Sequence, residues 1–200
     1  MSFKNKKLKF VGERIFLRTL GVDDATEEYA GWLNDPEVNR FLATKSATVD
    51  ELRNYIIKKD EQDDALFFGI FLKDPVRGLA RDEVASPKDL GEATSNGTHI
   101  GTIKLEPIDL AGKKATIAMM IGNKNYWGKG LMPEATKLLI NYCFSELGLD
   151  EVNLGVLDQN KSAIRAYEKV GFKETHRAPK SVNYSGQVYD HVFMALRRKG

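Results

Sequence analysis

Two glycines, Gly128 and Gly130, stand between a predicted strand and a predicted helix, within residues 125–132 (NYWGKGLM). Glycines let the backbone come close to a ligand and turn several N–H groups outward. At a helix N-terminus these N–H groups and the helix dipole favour an anion, and a diphosphate would fit there. The loop lacks the third glycine of GxGxxG and the GK[ST] of a P-loop. Taken alone, a plain tight turn explains it equally well.

A second segment follows at residues 160–172 (NKSAIRAYEKVGF). Together, the two segments resemble the pyrophosphate loop and the N-x-x-A-x-x-x-Y-E-K-x-G-F signature of the GNAT acetyltransferase superfamily. The order of elements is similar to that family over nearly the whole chain. The resemblance implies an enzyme that transfers an acetyl group from acetyl-CoA directly to a primary amine and releases CoA.

The cofactor residues of that family can be carried over position by position. The resemblance implies that backbone N–H groups hold the pyrophosphate along the loop of Tyr126, Trp127, Gly128, Lys129, Gly130, Leu131 and Met132. In the family the fourth strand splays from the fifth, and its free backbone groups bind the pantetheine arm as another strand would. This implies that Met119, Met120 and Ile121 lie along the arm. It also implies that Asn160, with Ala163 of the same signature, contacts the cofactor or fixes the splayed strand.

The resemblance gives Tyr167 the family's proton-donor position. When an amine attacks a thioester, the leaving group is a thiolate, which a nearby phenol can protonate. Reference pKa values are about 8.5 for a thiol and about 10 for tyrosine, so this transfer is nearly thermoneutral. Tyr167 also lies on one helical stripe with Ala163 and Val170 and could be only a core tyrosine. We favour the catalytic role.

Many family members carry a carboxylate on the fourth strand as general base, but residues 115–121 (ATIAMMI) contain no acid. The loop also begins with Asn125 where the family often has Gln or Arg. Glu134 is the nearest carboxylate and our candidate base, although we prefer to explain it as a negative charge favoured at a helix N-terminus. Glu106 and Asp109 are weaker candidates. An α-amine has a reference pKa of about 7.7–8.0, against about 10.4 for lysine, so the missing base favours a low-pKa amine as acceptor.

Two segments resemble parts that border the acceptor cleft in the family. Residues 32–38 (WLNDPEV) are similar to the ribosomal-protein-alanine acetyltransferase branch and to relatives acting on nucleotide-linked amino sugars, and residues 184–191 (YSGQVYDH) to the hairpin that closes the cleft. The substrate candidates are Trp32, Asn34, Tyr189, Asp190 and His191. Each candidate also has a structural explanation: Trp32 could serve packing and Asn34 the turn that follows it. His191 could be a general base, but a strand histidine that bonds to a neighbour is commoner. We rank a small or nucleotide-linked amino sugar slightly above a protein N-terminal α-amine, followed by a polyamine or aminoglycoside.

The elements that position these residues alternate in the manner of a mixed α/β protein. Strands are predicted at residues 14–18, 65–72, 99–105, 114–121, 152–157, from 172 onward, and at 189–196; helices end near residues 33, 59, 147 and 170, with Asp23 or Asp24 capping the first and Asn160 the last. The resemblance implies the GNAT acyl-CoA N-acyltransferase fold, a single central mixed sheet of about seven strands, splayed between strands 4 and 5 and flanked by about four helices. Residues 74–98 lack periodicity and are interpreted as an insertion, either disordered or a substrate lid.

Length and composition fit one N-acetyltransferase domain, residues 1–200. A formal charge of +2 is too small to argue for nucleic acid or an anionic membrane, and no stretch approaches the ~20 apolar residues of a membrane span. The lone Cys143 excludes an internal disulfide and a cysteine-cluster metal site, and we expect it to be buried. We therefore expect a cytoplasmic protein, monomer or homodimer, that binds no metal and acts on a small-molecule or peptide amine.

Two other interpretations stay open. An acyl-CoA-binding regulatory module without turnover is favoured by the missing strand carboxylate and disfavoured by Tyr167 and the complete second signature. A phosphopeptide- or nucleotide-binding α/β module rests on the glycine loop alone.

Overall fold

The computed structural model describes residues 2–73, 97–184 and 186–199. Within them, one mixed sheet contains eight strands: β1 (Lys9–Val11), β2 (Ile15–Thr19), β3 (Leu66–Leu72), β4 (Thr98–Asp109), β5 (Lys114–Ile121), β6 (Glu151–Leu157), β7 (Lys173–Tyr184) and β8 (Gln187–Arg197). The described helices are α1 (Glu27–Asn34), α2 (Val49–Asp60), α3 (Leu131–Ser145) and α4 (Lys161–Val170). None of these helices is long and apolar enough to cross a membrane. The predicted mixed sheet and its four helices are confirmed.

The sheet has one strand more than the seven expected. The additional strand, β1, has three residues (KFV) and lies in a lysine-rich segment, so it is too short for an alternating pattern to reveal it. It pairs antiparallel with β2. The predicted insertion at residues 74–98 falls mostly outside the described residues, except that Thr98 already begins β4.

The first helix begins later than predicted, and the assignment of its N-cap to Asp23 or Asp24 is wrong. Both aspartates lie in a separate 3-10 turn, and Thr26 caps α1 by accepting a hydrogen bond from the backbone N–H of Tyr29. The Asp24 carboxylate instead accepts hydrogen bonds from the Arg18 guanidinium and from the backbone N–H of Gly21. An arginine partner on the neighbouring strand therefore removes Asp24 from the helix terminus.

The strand order is β1-β2-β3-β4-β5-β6-β8-β7. Neighbouring strands are antiparallel except β5 and β6, which are parallel. Between these two strands the chain crosses over through α3, as parallel neighbours require. The β5–β6 junction thus divides the sheet into two antiparallel halves, β1 to β5 and β6-β8-β7.

Apolar side chains are buried on both faces of the sheet, and their removal from water is the main favourable contribution to folding. One cluster packs under α3 and α4 and includes Leu139, Cys143, Leu154, Tyr167 and Met194. Burial raises the pKa of the Cys143 thiol to about 12, so this residue is the buried apolar side chain that we expected. The other cluster packs under α1 and α2 and includes Phe16, Trp32, Leu52, Ile56 and Phe71. We call these two sides the α3–α4 face and the α1–α2 face.

Candidate active site

The two halves of the sheet separate beyond a short stretch of pairing between β5 and β6. In these two fully described strands, the paired residues are Lys114 with Glu151, Ala115 with Val152, and Thr116 with Asn153. The Thr116 hydroxyl donates a 2.7 Å hydrogen bond to Asn153 Oδ1 at the last pair. From Ile117 onward, β5 has no strand partner on this side. The predicted splay between the family's fourth and fifth strands is therefore present, here between β5 and β6.

The glycine loop leads directly into α3, whose N-terminus has no side-chain cap. Gly128 and Gly130 have φ values of 72° and 73°, a left-handed conformation that L side chains adopt only with strain. Gly130 is the N-cap residue of α3 and supplies no capping side chain, whereas Thr26, Thr48 and Asn160 cap the other described helices. Backbone N–H groups at this terminus are thus left for another acceptor, which is the arrangement that binds an anion.

Arg14, the residue before β2, fixes the backbone of this loop, a role that no local sequence pattern indicates. Its Nη1 donates to the carbonyl oxygen of Lys129 at 2.8 Å and its Nη2 to that of Gly130 at 3.1 Å. The C=O and N–H of a trans peptide point in opposite directions. Arg14 therefore turns the N–H groups of Gly130 and Leu131 away from itself.

Glu134, our candidate base, is occupied by the same arginine. Its Oε2 accepts a 2.9 Å hydrogen bond from Arg14 Nε, and its Oε1 accepts from the backbone N–H groups of Arg14 and Ile15 at 2.8 and 3.3 Å. These bonds join the first turn of α3 to β2. The carboxylate faces the β1–β2 connection, because a Cβ atom at Gly12 would lie 2.8 Å from Oε1. None of these contacts brings Glu134 to the β5–β6 opening.

The three predicted pantetheine residues alternate across the end of β5. Met119 faces α3, where its sulfur accepts a 3.3 Å hydrogen bond from the Thr136 hydroxyl, and Ile121 packs in the same cluster. Met120 packs with the α1–α2 cluster. The carbonyl oxygen of Ile121 accepts a 2.7 Å hydrogen bond from Trp127 Nε1, which ties the loop to the strand end. Tyr126 packs against the core, whereas Trp127, Gly128, Lys129 and Gly130 are exposed.

At the other side of the opening, α4 carries the second signature. Asn160 caps α4, as predicted, by accepting a 3.3 Å hydrogen bond from the backbone N–H of Ala163, and it also accepts from the Ser162 hydroxyl. Within the described residues, the Asn160 side-chain nitrogen donates no hydrogen bond. Ala163 is half-buried against the α3–α4 cluster.

Tyr167 is 5% exposed and packs edge-on against Phe172, with the ring centroids 5.6 Å apart. Its hydroxyl has no hydrogen-bond partner among residues 2–73, 97–184 and 186–199. Burial raises the pKa of this phenol above its usual value, so the hydroxyl keeps its proton over the whole neutral range. This phenol is therefore a weaker acid than a tyrosine in water, and it can protonate a thiolate efficiently only where that thiolate is desolvated as well.

Trp32 and Asn34, the predicted acceptor contacts on α1, have structural roles: Trp32 packs in the core, and Asn34 makes hydrogen bonds to the backbone. Trp32 is 7% exposed and lies over Gly122, where a Cβ atom would overlap the indole ring. The Asn34 amide donates to the carbonyl oxygens of Ala30 and Ala47, both at 2.9 Å, and its oxygen accepts from the Ala47 N–H. Asn34 therefore fixes the connection between α1 and α2, and the structure does not group it with the residues at the opening.

The predicted hairpin contacts divide between the two faces of the sheet. Tyr189 and His191 lie on the α1–α2 face, because Val192 and Met194 alternate with them along β8 and enter the α3–α4 cluster. Asp190 points to the opposite side and accepts a 3.0 Å hydrogen bond from the backbone N–H of Lys180 in β7. On the α1–α2 face, the Tyr189 ring meets Phe41 edge-on at 6.4 Å, which connects the hairpin to the segment between α1 and α2.

The α1–α2 face also holds the weaker base candidate Glu106, which is surrounded by cations. Its carboxylate accepts hydrogen bonds from Lys59 and, at 3.0 Å, from Lys104. Burial alone would raise the pKa of Glu106, but these two ammonium groups hold it below the usual value. The Asp109 carboxylate accepts a 2.7 Å hydrogen bond from the backbone N–H of Gly112 in the β4–β5 turn.

The family model described as the acetyltransferase (GNAT) domain matches residues 14–173, which include the splay, the whole glycine loop and the whole segment 160–172. The chain belongs to the GNAT acetyltransferase family.

Curated GNAT relatives agree with this assignment. YjcK of Bacillus subtilis, named a probable N-acetyltransferase, is 28% identical over 193 residues, which cover 92% of this chain and 94% of the relative. YdaF of the same organism, named as a candidate ribosomal N-acetyltransferase, is 31% identical over 52% of this chain and 56% of its own. The spermidine N(1)-acetyltransferase of Escherichia coli is 30% identical over 50% of this chain and 54% of its own. The chain is thus identified as a GNAT N-acetyltransferase.

Solved GNAT structures share the fold. A GNAT family acetyltransferase from Bacillus anthracis has a TM-score of 0.74 at 19% identity, over 95% of this chain and 98% of that one. The spermidine N-acetyltransferase of Vibrio cholerae, solved with CoA and spermine, has a TM-score of 0.73 at 19% identity, over 92% of this chain and 95% of that one. At this level of identity the likeness concerns the fold alone.

Proposed function

We propose that this GNAT enzyme transfers the acetyl group of acetyl-CoA to a low-pKa primary amine of an acceptor with little positive charge. The single observation that carries this proposal is that β5–β6 pairing ends at Thr116 and Asn153. A donor molecule can enter a sheet only where backbone groups lack a strand partner. The free edge of β5 runs from Ile117 to Met120, since the Ile121 carbonyl accepts from Trp127, and the uncapped N-terminus of α3 follows it in the chain.

The donor would lie along this edge as follows. The N–H groups of the loop from Gly128 to Met132 bind the diphosphate of CoA, where the α3 dipole adds to their attraction. The pantetheine arm runs beside Met119, Met120 and Ile121 and brings the thioester to the opening. The Asn160 side-chain nitrogen donates to the arm from the other side. These residues fit the group because the glycine conformations and the Arg14 contacts leave the N–H groups of the loop without intrahelical acceptors.

Tyr167 is the proton donor to the departing sulfur in this proposal. It projects from α4 into the α3–α4 cluster, and its hydroxyl is protonated and uncommitted. Exclusion of water around the ring raises the basicity of a thiolate as well as the pKa of the phenol, which restores a near-balanced proton transfer.

The charges on the α1–α2 face favour an acceptor with few positive charges. Glu106 is already paired with Lys59 and Lys104, and Asp24 with Arg18. A polyamine needs carboxylates without such partners, so spermidine, the substrate in the name of the Escherichia coli relative, is not our first choice. The sequence favoured an amino sugar slightly over a protein N-terminal α-amine, and we reverse this order in keeping with the ribosomal name of YdaF: a protein N-terminal α-amine comes first, and an amino sugar or nucleotide-linked amino sugar second.

The alternative is an acyl-CoA-binding module without turnover. It is favoured by the absence of a carboxylate in β5, whose described sequence offers no general base. In that case acetyl-CoA would bind and no acceptor would be acetylated.

The test is an acceptor screen that follows the release of free thiol from acetyl-CoA. Its panel contains peptides with free N-termini, the same peptides blocked at the N-terminus, amino sugars, nucleotide-linked amino sugars, spermidine and an aminoglycoside. We expect turnover with the free peptides or the sugars and none with the blocked peptides. CoA binding without turnover across the panel would support the alternative, and turnover with spermidine alone would overturn the choice of acceptor.

A further inference from the structure

His191 extends from β8 over the neighbouring strand β6. In the β6–β8 pairing it stands opposite Leu157, yet its imidazole lies diagonally over Gly155. A Cβ atom at Gly155 would overlap His191 Nε2, so the ring occupies the space that a β6 side chain would otherwise fill. Because β6 lies between β8 and β5 in the sheet, the ring reaches towards the β5–β6 opening.

The position of Gly155 places this imidazole beside the β5–β6 opening. Gly155 is two residues beyond Asn153, the last residue of β6 that pairs with β5, and it is exposed. It alternates with Leu154 and Val156, which enter the α3–α4 cluster, so it faces the α1–α2 side. His191 therefore lies at the opening on the α1–α2 face, whereas Tyr167 belongs to the cluster on the opposite face of the sheet.

The surroundings of His191 leave its ring nitrogens free. Neither nitrogen makes a hydrogen bond to any residue that the structure describes. The ring packs against Phe193 at 4.3 Å, and His176 stacks on the far side of Phe193 at 4.2 Å. Other ionisable groups described on this face include Tyr189 of β8, Lys104 and Glu106 of β4, which are bound to each other, and Lys59, Arg18, Asp24 and His99. Burial, and then the nearby His176, lower the pKa of His191, so its imidazole is neutral at neutral pH.

We propose that His191 is the general base that takes the proton from the attacking amine. This inference rests on the proposed function, and it assigns the base that β5 does not supply. Glu134 and Glu106 are each held by cationic or backbone partners, whereas the His191 ring is unbonded and stands beside the opening.

The proton transfers balance as follows. One ring nitrogen of His191 takes a proton from the ammonium group, which frees the lone pair of the amine. That lone pair forms the C–N bond to the thioester carbon, and the C–S bond then breaks with its electron pair on sulfur. The sulfur takes the hydroxyl proton of Tyr167, and Tyr167 is reprotonated by the second proton lost from the nitrogen. Imidazolium at His191 releases its proton to solvent, so the products are the amide, CoA and one proton.

His191→Gln tests the proposal through its pH profile. We expect kcat at neutral pH to fall about 100-fold, with the Kd for CoA unchanged. In the wild type, kcat should decline as the pH falls through the pKa of His191, below about 6.5, because the protonated ring cannot accept a proton. The variant should lack this acidic limb. His176→Gln is the matched control and should keep the rate and an acidic limb, which moves to higher pH because His176 no longer lowers the pKa of His191.

Two further variants separate chemistry from folding. In His191→Ala, added imidazole should restore part of the lost rate, an effect that repair of a structural defect would not produce. Gly155→Ala should displace the ring and lower kcat while CoA still binds. A His191→Gln enzyme with the wild-type rate and acidic limb would overturn the inference. Failure of the wild type itself to acetylate any amine would refute the proposed function instead.

Discussion

Arg14 and Glu134 lie 120 positions apart in the chain and form an ion pair with 2.9 Å between Nε and Oε2. The same guanidinium holds the carbonyl oxygens of Lys129 and Gly130. A single side chain, next to β2, thus contacts both the glycine loop and the first turn of α3. This contact converts a flexible pair of glycines into an ordered set of N–H donors.

Removal of the Arg14 side chain should weaken donor binding. We expect Arg14→Ala to raise the Kd for CoA about tenfold, because the loop must then be ordered during binding. Isothermal titration calorimetry with CoA measures the change. Arg53→Ala is the control, since Arg53 has the same 46% exposure and pairs with Asp50 on α2. A wild-type Kd in Arg14→Ala would contradict the role of this residue.

Glu134→Gln should leave the chemistry almost unchanged. The carboxylate is committed to Arg14 and to the backbone of β2, and glutamine keeps the oxygen that accepts from the backbone. We expect kcat within about threefold of the wild type and an unaltered pH profile, measured at saturating acceptor. A loss of about 100-fold together with an altered acidic limb would show that Glu134 is the base after all.

Tyr167→Phe should slow the reaction without weakening CoA binding. Loss of the proton donor is expected to reduce kcat roughly 100-fold. Because burial raises the pKa of this phenol, the wild-type rate should not fall through Tyr167 ionisation up to about pH 10. Tyr142→Phe is the control: its hydroxyl is buried in the same core without a hydrogen-bond partner among the described residues. Equal rates for the two variants would remove Tyr167 from the mechanism.

Alanine in the glycine loop should impair binding more than stability. Gly128, Gly130 and Gly148 all have φ between 64° and 73°, and alanine at each should cost about 1–2 kcal/mol of folding free energy. Only the two loop variants should also raise the Kd for CoA, because only they alter the N–H groups before α3. Urea unfolding and calorimetry on the three variants separate the two effects. A loop variant that binds as tightly as Gly148→Ala would argue against diphosphate binding here.

His99 should make the folded state sensitive to acid. It is stacked on Phe71 at 4.8 Å and edge-on to Trp32, and burial lowers its pKa to about 4, with Asp24 opposing part of the shift. An unfolded histidine titrates near 6.5, so between about pH 6.5 and pH 4 the unfolded state binds more protons than the folded state. The free energy of unfolding therefore decreases as the pH is lowered through this range. His99→Phe should remove up to about 3 kcal/mol of this loss between pH 7 and pH 4, measured by urea unfolding. His176→Phe, at an exposed site, should retain the wild-type dependence.

The features that the sequence predicted are those written in consecutive residues. The loop at Gly128 and Gly130, the Asn160 cap and the buried stripe of α3 depend on neighbours within one or two turns. Arg14 could not be found in this way, because its partners are more than 100 positions away and meet it only through the β2–α3 packing. The role of Asn34 was hidden for the same reason. Its hydrogen-bond partner Ala47 lies beyond a turn, and no local sequence pattern shows that this turn brings the two residues together.

The short pairing between β5 and β6 has a mechanical consequence. In the described strands, three residue pairs join the two halves of the sheet, as few as join the short edge strand β1 to β2, so this seam is a weak line across the sheet. A molecule that bonds to both β5 and β6 links the two halves of the sheet, and the free energy of its binding adds to the free energy of unfolding of the protein. The enzyme without donor is accordingly less stable than the enzyme with donor bound. Each release of CoA lowers the stability of the protein again until the next acetyl-CoA binds.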